Sequence, residues 1–449
     1  MVNLIAQSNV IVLVGMGMTG QSAARYLTNS GRRFVWVDTR EAPPALDSVR
    51  SQFPDANIEL GDLKEDTLLA ASEIIVSPGV PLSNPVIQKA VNAGVPVLGD
   101  IELFLREVKA PVIAITGSNA KSTVTTLVGE MAKAAGKMVL IGGNIGVPVL
   151  DLLQQPAAEL YVLELSSFQL ESVNKLNAEV STVLNVSEDH MDRYDSFAQY
   201  YMAKQRVYFG ARKVVVNRED PLTSPPLAEG VKQFSFGLNV PDRNGFGVIV
   251  KGGQEHLAFE FKVLMPSADI KMPGRHNIAN ALAALALGHA VGLPMESMLQ
   301  TLTQFPGLPH RCQWVAENGG VNFYNDSKGT NVGATLAALK GLQKDSGKIV
   351  LIAGGVGKGA DFSSLKDAAA GLRSVVVIGQ DGAQVAAQFE GLLPTRSATT
   401  MQEAVELAAQ LAEAGDDVLL SPACASFDMY KGFEDRGDHF VRVVKEVVA

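Results

Sequence analysis

Along the chain, short runs of aliphatic and β-branched residues recur, and most of them stop at a turn of glycine and small polar residues. In the first hundred residues these runs are Val10 to Val14, Phe34 to Val37, Ile74 to Val76 and Val95 to Leu98. The middle of the chain repeats the pattern at Pro111 to Ile115, Val139 to Ile141, Leu160 to Leu163 and Val183 to Val186. The last third does so at Val321 to Tyr324, Lys348 to Ala353, Val375 to Ile378 and Val418 to Ser421. Runs apolar on both faces, with helical stretches between them, predict parallel sheets covered by helices. Helices are predicted over Val124 to Ala135, closed by Gly136, over Phe197 to Phe209, from Gly274 through the Asn280 region, and over Glu434 to Ala449. Between Gly230 and Pro273 the runs shorten to Val248-Ile249-Val250 and Leu257 to Phe261, which predicts a β meander on the flank.

A chain of 449 residues is too long for one core, and the pattern divides it into three α/β units. The expected units are an N-terminal Rossmann-like domain over 1–99, a central P-loop ATPase-like mononucleotide-binding sheet with a small β flank over 100–307, and a C-terminal Rossmann-like domain over 308–449. A net charge of −9 with no Lys/Arg-rich run argues against nucleic acid and against a basic membrane patch. The first basic residue is Arg25, and the longest apolar suspect, Ala281 to Val291, is broken by Gly288 and His289. Neither a signal peptide nor a membrane span is expected. Two cysteines, Cys312 and Cys424, make no disulfide framework. The expectation is a cytoplasmic protein acting on small molecules.

The richest chemistry lies at Thr116-Gly117-Ser118-Asn119-Ala120-Lys121-Ser122-Thr123. Strand, small-residue turn, Lys-Ser/Thr and helix is how a chain cradles a nucleotide triphosphate. The backbone N–H groups of the turn meet phosphate oxygens, the lysine adds a charge, and a hydroxyl of Ser122 or Thr123 reaches Mg²⁺. Here Ala120 stands before the lysine; at positive φ an alanine costs about 1–2 kcal/mol, so a shorter loop with Ala120 at negative φ is expected. A second glycine turn, Gly15-Met16-Gly17-Met18-Thr19-Gly20, follows the first strand, with Asp38-Thr39-Arg40 ending the second. Alone it is a dinucleotide fingerprint, but a dehydrogenase needs no triphosphate loop about 100 residues on. The first unit is therefore expected to grip a nucleotide diphosphate, with Gly15, Gly17 and Gly20 near a pyrophosphate.

Glu164 ends a strand and can face the same Mg²⁺ as Ser122. His190, among Glu188, Asp189 and Asp192, is a candidate for a second cation, though a lone histidine is more often structural. By periodicity Lys204 reads as a surface lysine. Gly142 to Gly146 is a turn rich in backbone donors, and the strand-end loops of the last unit gather lysines, hydroxyls and Asp326, suited to a small anionic substrate.

Together, Thr116 to Thr123, Gly143 to Gly146, Glu164 to Gln169, Glu188 to Arg193, Asn325 to Lys328 and Ser421 to Ser426 resemble the Mur ligases of peptidoglycan synthesis, nearly end to end. The resemblance implies a ligase that adds D-glutamate to UDP-N-acetylmuramoyl-L-alanine through an acyl phosphate made with ATP. It implies that Met18, Thr19, Asp38, Thr39 and Arg40 hold the uridine diphosphate, and that Asn144 and His190 meet the muramoyl-alanine part. Gly117, Ser118, Asn119, Ala120, Lys121, Ser122, Thr123, Asn280, Arg311 and Asp326 would position ATP. Ser122 and Glu164 would bind one Mg²⁺, and His190 with a carbamate on Lys204 the second; Lys328, Thr330, Lys358, Ser426 and Phe433 would hold D-glutamate. Lys121, Glu164, His190 and Lys204 would be the catalytic set, in a monomer. Val356 stands where the family turn has Asp, so Lys358 is expected to lack a local partner. The rival readings are a nicotinamide dehydrogenase, a non-catalytic nucleotide-gated binding protein, and a sister Mur or folylpolyglutamate-type ligase.

Overall fold

The computed structural model describes residues 10–343 and 346–448. The first nine residues of the expected N-terminal unit, and Ala449 of the expected closing helix, lie outside them. Three sheets organise the described chain, and each predicted apolar run enters one of them.

The first sheet is all parallel, in the order Asn57–Leu60, Phe34–Asp38, Ile11–Val14, Glu73–Val76, Val97–Leu98. Its strand order reverses between Ile11–Val14 and Glu73–Val76, so the turn after Val14 opens into the crevice where such sheets take ligands. The central sheet has nine strands. Val112–Thr116 lies between Leu160–Glu164 and Val180–Val183, all parallel, so three carboxyl ends point the same way. The expected meander is present, and it extends this sheet: Gly245–Lys251, Gln254–Phe259 and Lys262–Pro266 pair antiparallel at its far edge. The third sheet runs Gln313–Asn318, Val321–Asn325, Asp417–Leu420, Ile349–Gly354, Leu372–Ile378, Thr395–Ser397, antiparallel only in its first pair.

Burial explains the layers. Val112–Thr116, Leu160–Glu164 and Ile349–Gly354 are buried at every position, as strands covered on both faces must be. Small residues let the helix Arg275–Ala290 sink against the central sheet, with Ala281 to Gly288 buried without a break. The helix expected over Phe197 to Phe209 is shorter. The α-helix ends at Gln205 and a 3₁₀ turn, Arg206–Tyr208, follows, because the Arg206 guanidinium turns back to donate to the carbonyls of Leu170 and Val173. The helix of the phosphate loop starts at Lys121, ahead of the expected Val124.

Candidate active site

The turn after Thr116 differs from expectation in two respects. Ala120 has φ of 64° and ψ of −2°, left-handed rather than the expected negative φ. The chain takes this strain because the backbone N–H groups of Ser118 and Asn119 are drawn inward, to the carbonyl and side-chain oxygens of Asn185 at 3.0 and 2.8 Å. The Ser118 hydroxyl is held as well, 2.8 Å from both the Ser187 carbonyl and the Tyr200 hydroxyl. Ser118 and Asn119 therefore brace the loop, their N–H groups already bonded to Asn185. The helix Lys121–Ala134 starts without a side-chain cap. Its first-turn N–H groups, at Lys121, Ser122 and Thr123, are the unpaired donors of a helix N-terminus, which is where an anion is stabilised.

Around this turn the charges converge. The Lys121 ammonium donates to the carbonyls of Gly117 and Ser118 at 2.8 and 2.9 Å. Lys204 is no surface residue: it is 2% exposed, its nitrogen donates to Gly117 at 2.9 Å and lies 4.5 Å from the centre of the Tyr200 ring. Burial, then the charge of Lys121, pulls its pKa well below the ordinary lysine value, against the attraction of Asp189 and Glu164. Glu164 is 2% exposed; its Oε1 accepts from the Asn144 side chain at 2.7 Å, while its Oε2 is buried with no hydrogen-bond partner among the described residues. Gly143 has to be a glycine, since a Cβ there would lie 2.3 Å from the Glu164 carbonyl oxygen. His190, at φ of 58°, packs edge-on against Phe168 at 5.0 Å, with Nε2 3.6 Å from Asp189. Burial lowers its pKa, Asp189 opposes, and the nearby lysines lower it further.

The third sheet closes the far side. Arg311, Asp326 and Lys328 line the same cleft as Ala120, Thr123 and Asn280. Burial pushes the Asp326 carboxyl up to about 7 against the Ser421 hydroxyl, the Cys312 N–H and Arg311. Burial also draws Lys328 down to about 8, with Arg311 and Lys121 adding to it; its ammonium stands 4.0 Å from the centre of the Phe433 ring. Lys358 finds its partner outside its own turn, in the central unit: its nitrogen lies 2.7 Å from Asp189 Oδ1. Val356 exchanges two backbone bonds of 2.9 Å with Ala425. That ladder sets the Lys358 loop beside Ser426. Thr330 follows Lys328 in the same strand-end loop, its N–H donating to the Lys328 carbonyl at 2.8 Å.

The glycine turn of the first sheet forms a second cleft. Gly17, Met18, Thr19, Thr39 and Arg40 line one side, Asn144 and Gln169 the other. A Cβ on Gly20 would lie 2.0 Å from the Gly15 carbonyl oxygen, so helix and strand touch there through bare backbone. Asp38 lines the cleft and holds the turn: it accepts from the Met16 N–H at 2.8 Å and from the Arg40 guanidinium at 2.8 Å. Burial raises its pKa, and those bonds outweigh burial and hold it below the usual carboxylate value.

Several functional positions were not foreseen. Arg436, 1% exposed, donates to Ser327 and to the Cys424 carbonyl, tying two strand-end loops to the helix Phe433–Val447. Its signal was present as a charge on the stripe that carries Phe440, Val443 and Val444. Tyr200 and Asn331 left no such mark. Among the described residues no group of three or more His, Cys, Asp or Glu forms a metal cage, and no helix is long and apolar enough to cross a membrane.

The sequence matches three families: Mur ligase MurD-like, N-terminal domain over residues 9–99, Mur ligase middle domain over 115–288, and Mur ligase, glutamate ligase domain over 310–424. It is 56% identical to the UDP-N-acetylmuramoylalanine–D-glutamate ligase of Pseudomonas aeruginosa, across 99% of this chain and 100% of that one. The protein of the same name from Saccharophagus degradans is 51% identical across the whole of both chains. Among solved structures, the MurF ligase of Thermotoga maritima in complex with ADP covers 98% of this chain and 95% of its own at a TM-score of 0.62 and 15% identity. The UDP-N-acetylmuramate-alanine ligase MurC of the same organism gives 0.60 at 19% identity, over 97% and 99%. At such identities the likeness speaks for the fold. Families along most of the chain, full-length relatives at more than half identity and the shared three-part fold agree: the chain belongs to the Mur ligase family of ATP-using ligases.

Proposed function

We propose that the protein joins D-glutamate to the alanyl carboxylate of UDP-N-acetylmuramoyl-L-alanine, with hydrolysis of ATP to ADP and phosphate. The observation that carries this reading is the shared cleft, in which the phosphate-loop residues Ala120 and Thr123 face Arg311, Asp326 and Lys328 of the third sheet. A nucleotide on one unit and an amino acid on the other would meet there.

A carboxylate is a poor electrophile at neutral pH and needs activation. Its oxygen attacks the γ-phosphorus, and ADP leaves. The amine of D-glutamate then attacks the acyl carbon, and phosphate leaves. The unpaired N–H groups of the helix start and the Lys121 ammonium hold the phosphates where negative charge gathers. Asp38, Thr39 and Arg40 hold the uridine part, with Met18 and Thr19 at the pyrophosphate turn. Lys328, Thr330, Lys358, Ser426 and Phe433 orient D-glutamate. Burial favours the neutral imidazole of His190, the form that can bind a metal, and a nearby carboxylate takes the proton the amine must lose.

The donor set fits Mg²⁺. The unpartnered Glu164 Oε2 with the Ser122 hydroxyl makes one half-shell, to be completed by phosphate and water oxygens; His190 and Lys204 supply the other. When bound, such ions offset the oxygen charges that the first step brings together. A neutral amine at Lys204 adds to CO₂ through its nitrogen and releases a proton, and the resulting carbamate oxygen is an anionic ligand where an ammonium would repel the metal. ATP and a UDP-linked precursor are cytoplasmic compounds, so the reading implies a cytoplasmic enzyme, working as a monomer.

The test is phosphate release from ATP with UDP-N-acetylmuramoyl-L-alanine and a panel of amino acids. Release with D-glutamate and not with L-alanine or a diamino acid supports the reading. Release with another amino acid makes the protein a sister ligase, and none with any acceptor overturns catalysis.

A further inference from the structure

We infer that Asn331 is a positioning residue that docks the amino-acid loops of the third sheet directly onto the phosphate loop; this rests on the ligase reading above. Asn331 is 5% exposed and precedes the helix Val332–Leu342. Its Oδ1 caps that helix, accepting from the Ala334 N–H at 2.8 Å. Its Nδ2 reaches across to the central sheet, donating to Asn119 Oδ1 at 3.1 Å and to Asp189 Oδ2 at 3.3 Å. Asn119 answers with its own Nδ2, 3.4 Å from Asn331 Oδ1. Asp189 spends its other oxygen on Lys358.

One connected set of side chains thus runs from the phosphate loop through Asn331 and Asp189 to Lys358. The backbone approaches closely alongside it: a Cβ on Gly333 would lie 2.7 Å from Ser187 Oγ and 3.5 Å from Asn119 Nδ2. Asn119 is itself held by Asn185, so it offers the third sheet a fixed surface and not a mobile tip. A helix cap needs only an acceptor. Both Nδ2 hydrogens of Asn331 are spent on the central sheet, which a cap does not require. The arrangement makes the Lys358 loop report on the phosphate loop, and the two reacting groups come into register through one amide.

The chemistry of capping separates this role from a structural one. Asn331→Asp keeps a strong cap, loses the donor and sets a carboxylate against Asp189. Asn331→Ser keeps a cap and is too short to cross. Both are expected to melt with the wild-type chain and to bind UDP-N-acetylmuramoyl-L-alanine as tightly. Both should raise the KM for D-glutamate roughly tenfold or more and lower kcat, with Asp worse than Ser. Small-angle scattering with ADP bound gives a readout that does not depend on the amino acid used, and both variants should have the larger radius of gyration. Wild-type KM, kcat and radius in both variants would overturn the inference, as would early melting or lost UDP-sugar binding, which would mark a structural role. A wild-type chain inactive with D-glutamate would instead count against the ligase reading, and the scattering comparison would still decide the role of Asn331.

Discussion

Lys204 and Lys121 donate to one acceptor: their ammonium nitrogens lie 2.9 and 2.8 Å from the carbonyl oxygen of Gly117. Two cations that converge on one oxygen away from water repel each other, and the more buried one yields its proton more readily. That one is Lys204. Its lowered pKa is what the carbamate proposal rests on: a carbamate on Lys204 would exchange repulsion for attraction toward Lys121.

Lys204→Ala is therefore expected to lose most activity, by roughly 10- to 100-fold or more, with partial return on adding acetate or another short carboxylate. Phosphate release measured with and without the added acid checks it. Full activity without rescue would remove the carbamate from the mechanism.

Ala120→Gly is expected to stabilise the chain. At φ of 64° the methyl group costs about 1–2 kcal/mol, and glycine returns about 0.4–1 kcal/mol through the freer unfolded chain, which leaves a gain of roughly 0.5 kcal/mol. ADP affinity should not change, because the N–H groups of the helix start stay where they are. Ala120→Val should lose stability at the same position. Denaturant midpoints of the three chains decide it, and a Gly variant less stable than wild type would contradict the strain argument.

The fold was legible because burial on both faces writes itself into sequence as unbroken apolar runs, and such runs at Val112, Leu160 and Ile349 became central strands. Edge strands were not: Gln313–Asn318 mixes polar and apolar residues with none fully buried, and Asn57–Leu60 carries none fully buried. The phosphate loop, Glu164 and the glycine turn were legible for the same local reason, since each sits within a few residues of a strand end. What sequence could not convey was which partners close around a side chain once the units fold together. Lys358 looked solitary until Asp189 came beside it, and Lys204 looked exposed until Tyr200 and Gly117 enclosed it. The Ala120 expectation failed because a local rule about alanine gave way to the bonds that Asn185 makes to the two preceding N–H groups.

Two variants should separate the clefts. Lys121→Ala removes a cation from the phosphate loop and is expected to abolish ADP release while leaving UDP-sugar binding nearly intact. Gly20→Ala forces a Cβ to within 2.0 Å of the Gly15 carbonyl, which must open the glycine turn. It is expected to weaken UDP-sugar binding at least tenfold, roughly 1.4 kcal/mol, with ADP affinity unchanged. Calorimetric titration of each variant with both ligands measures the four constants, and a swapped pattern would reverse the assignment of the clefts.

Asp100 makes the protein's stability depend on pH. It begins the helix Asp100–Glu107 at 2% exposure; Oδ2 accepts from Gln169 Nε2 at 3.2 Å, and Oδ1 has no hydrogen-bond partner among the described residues. Burial lifts its pKa to about 6, against the pull of Gln169 and the Ile101 N–H. The unfolded chain titrates near 3.9, so the folded state holds the proton to higher pH. Stability from this group is complete below about pH 4 and is lost as pH rises through about 6. About two pKa units correspond to about 3 kcal/mol, of which roughly half should appear between pH 5 and 7.5. Asp100→Asn keeps an acceptor for Gln169 and cannot ionise. The stability of this variant relative to wild type should therefore grow by about 1.5 kcal/mol over that interval, read from denaturant midpoints at the two pH values. A flat difference would mean that the carboxyl titrates normally and that water reaches it. A rising one would mean that the chain keeps a costly charge in its interior, next to Gln169 at the wall of the second cleft.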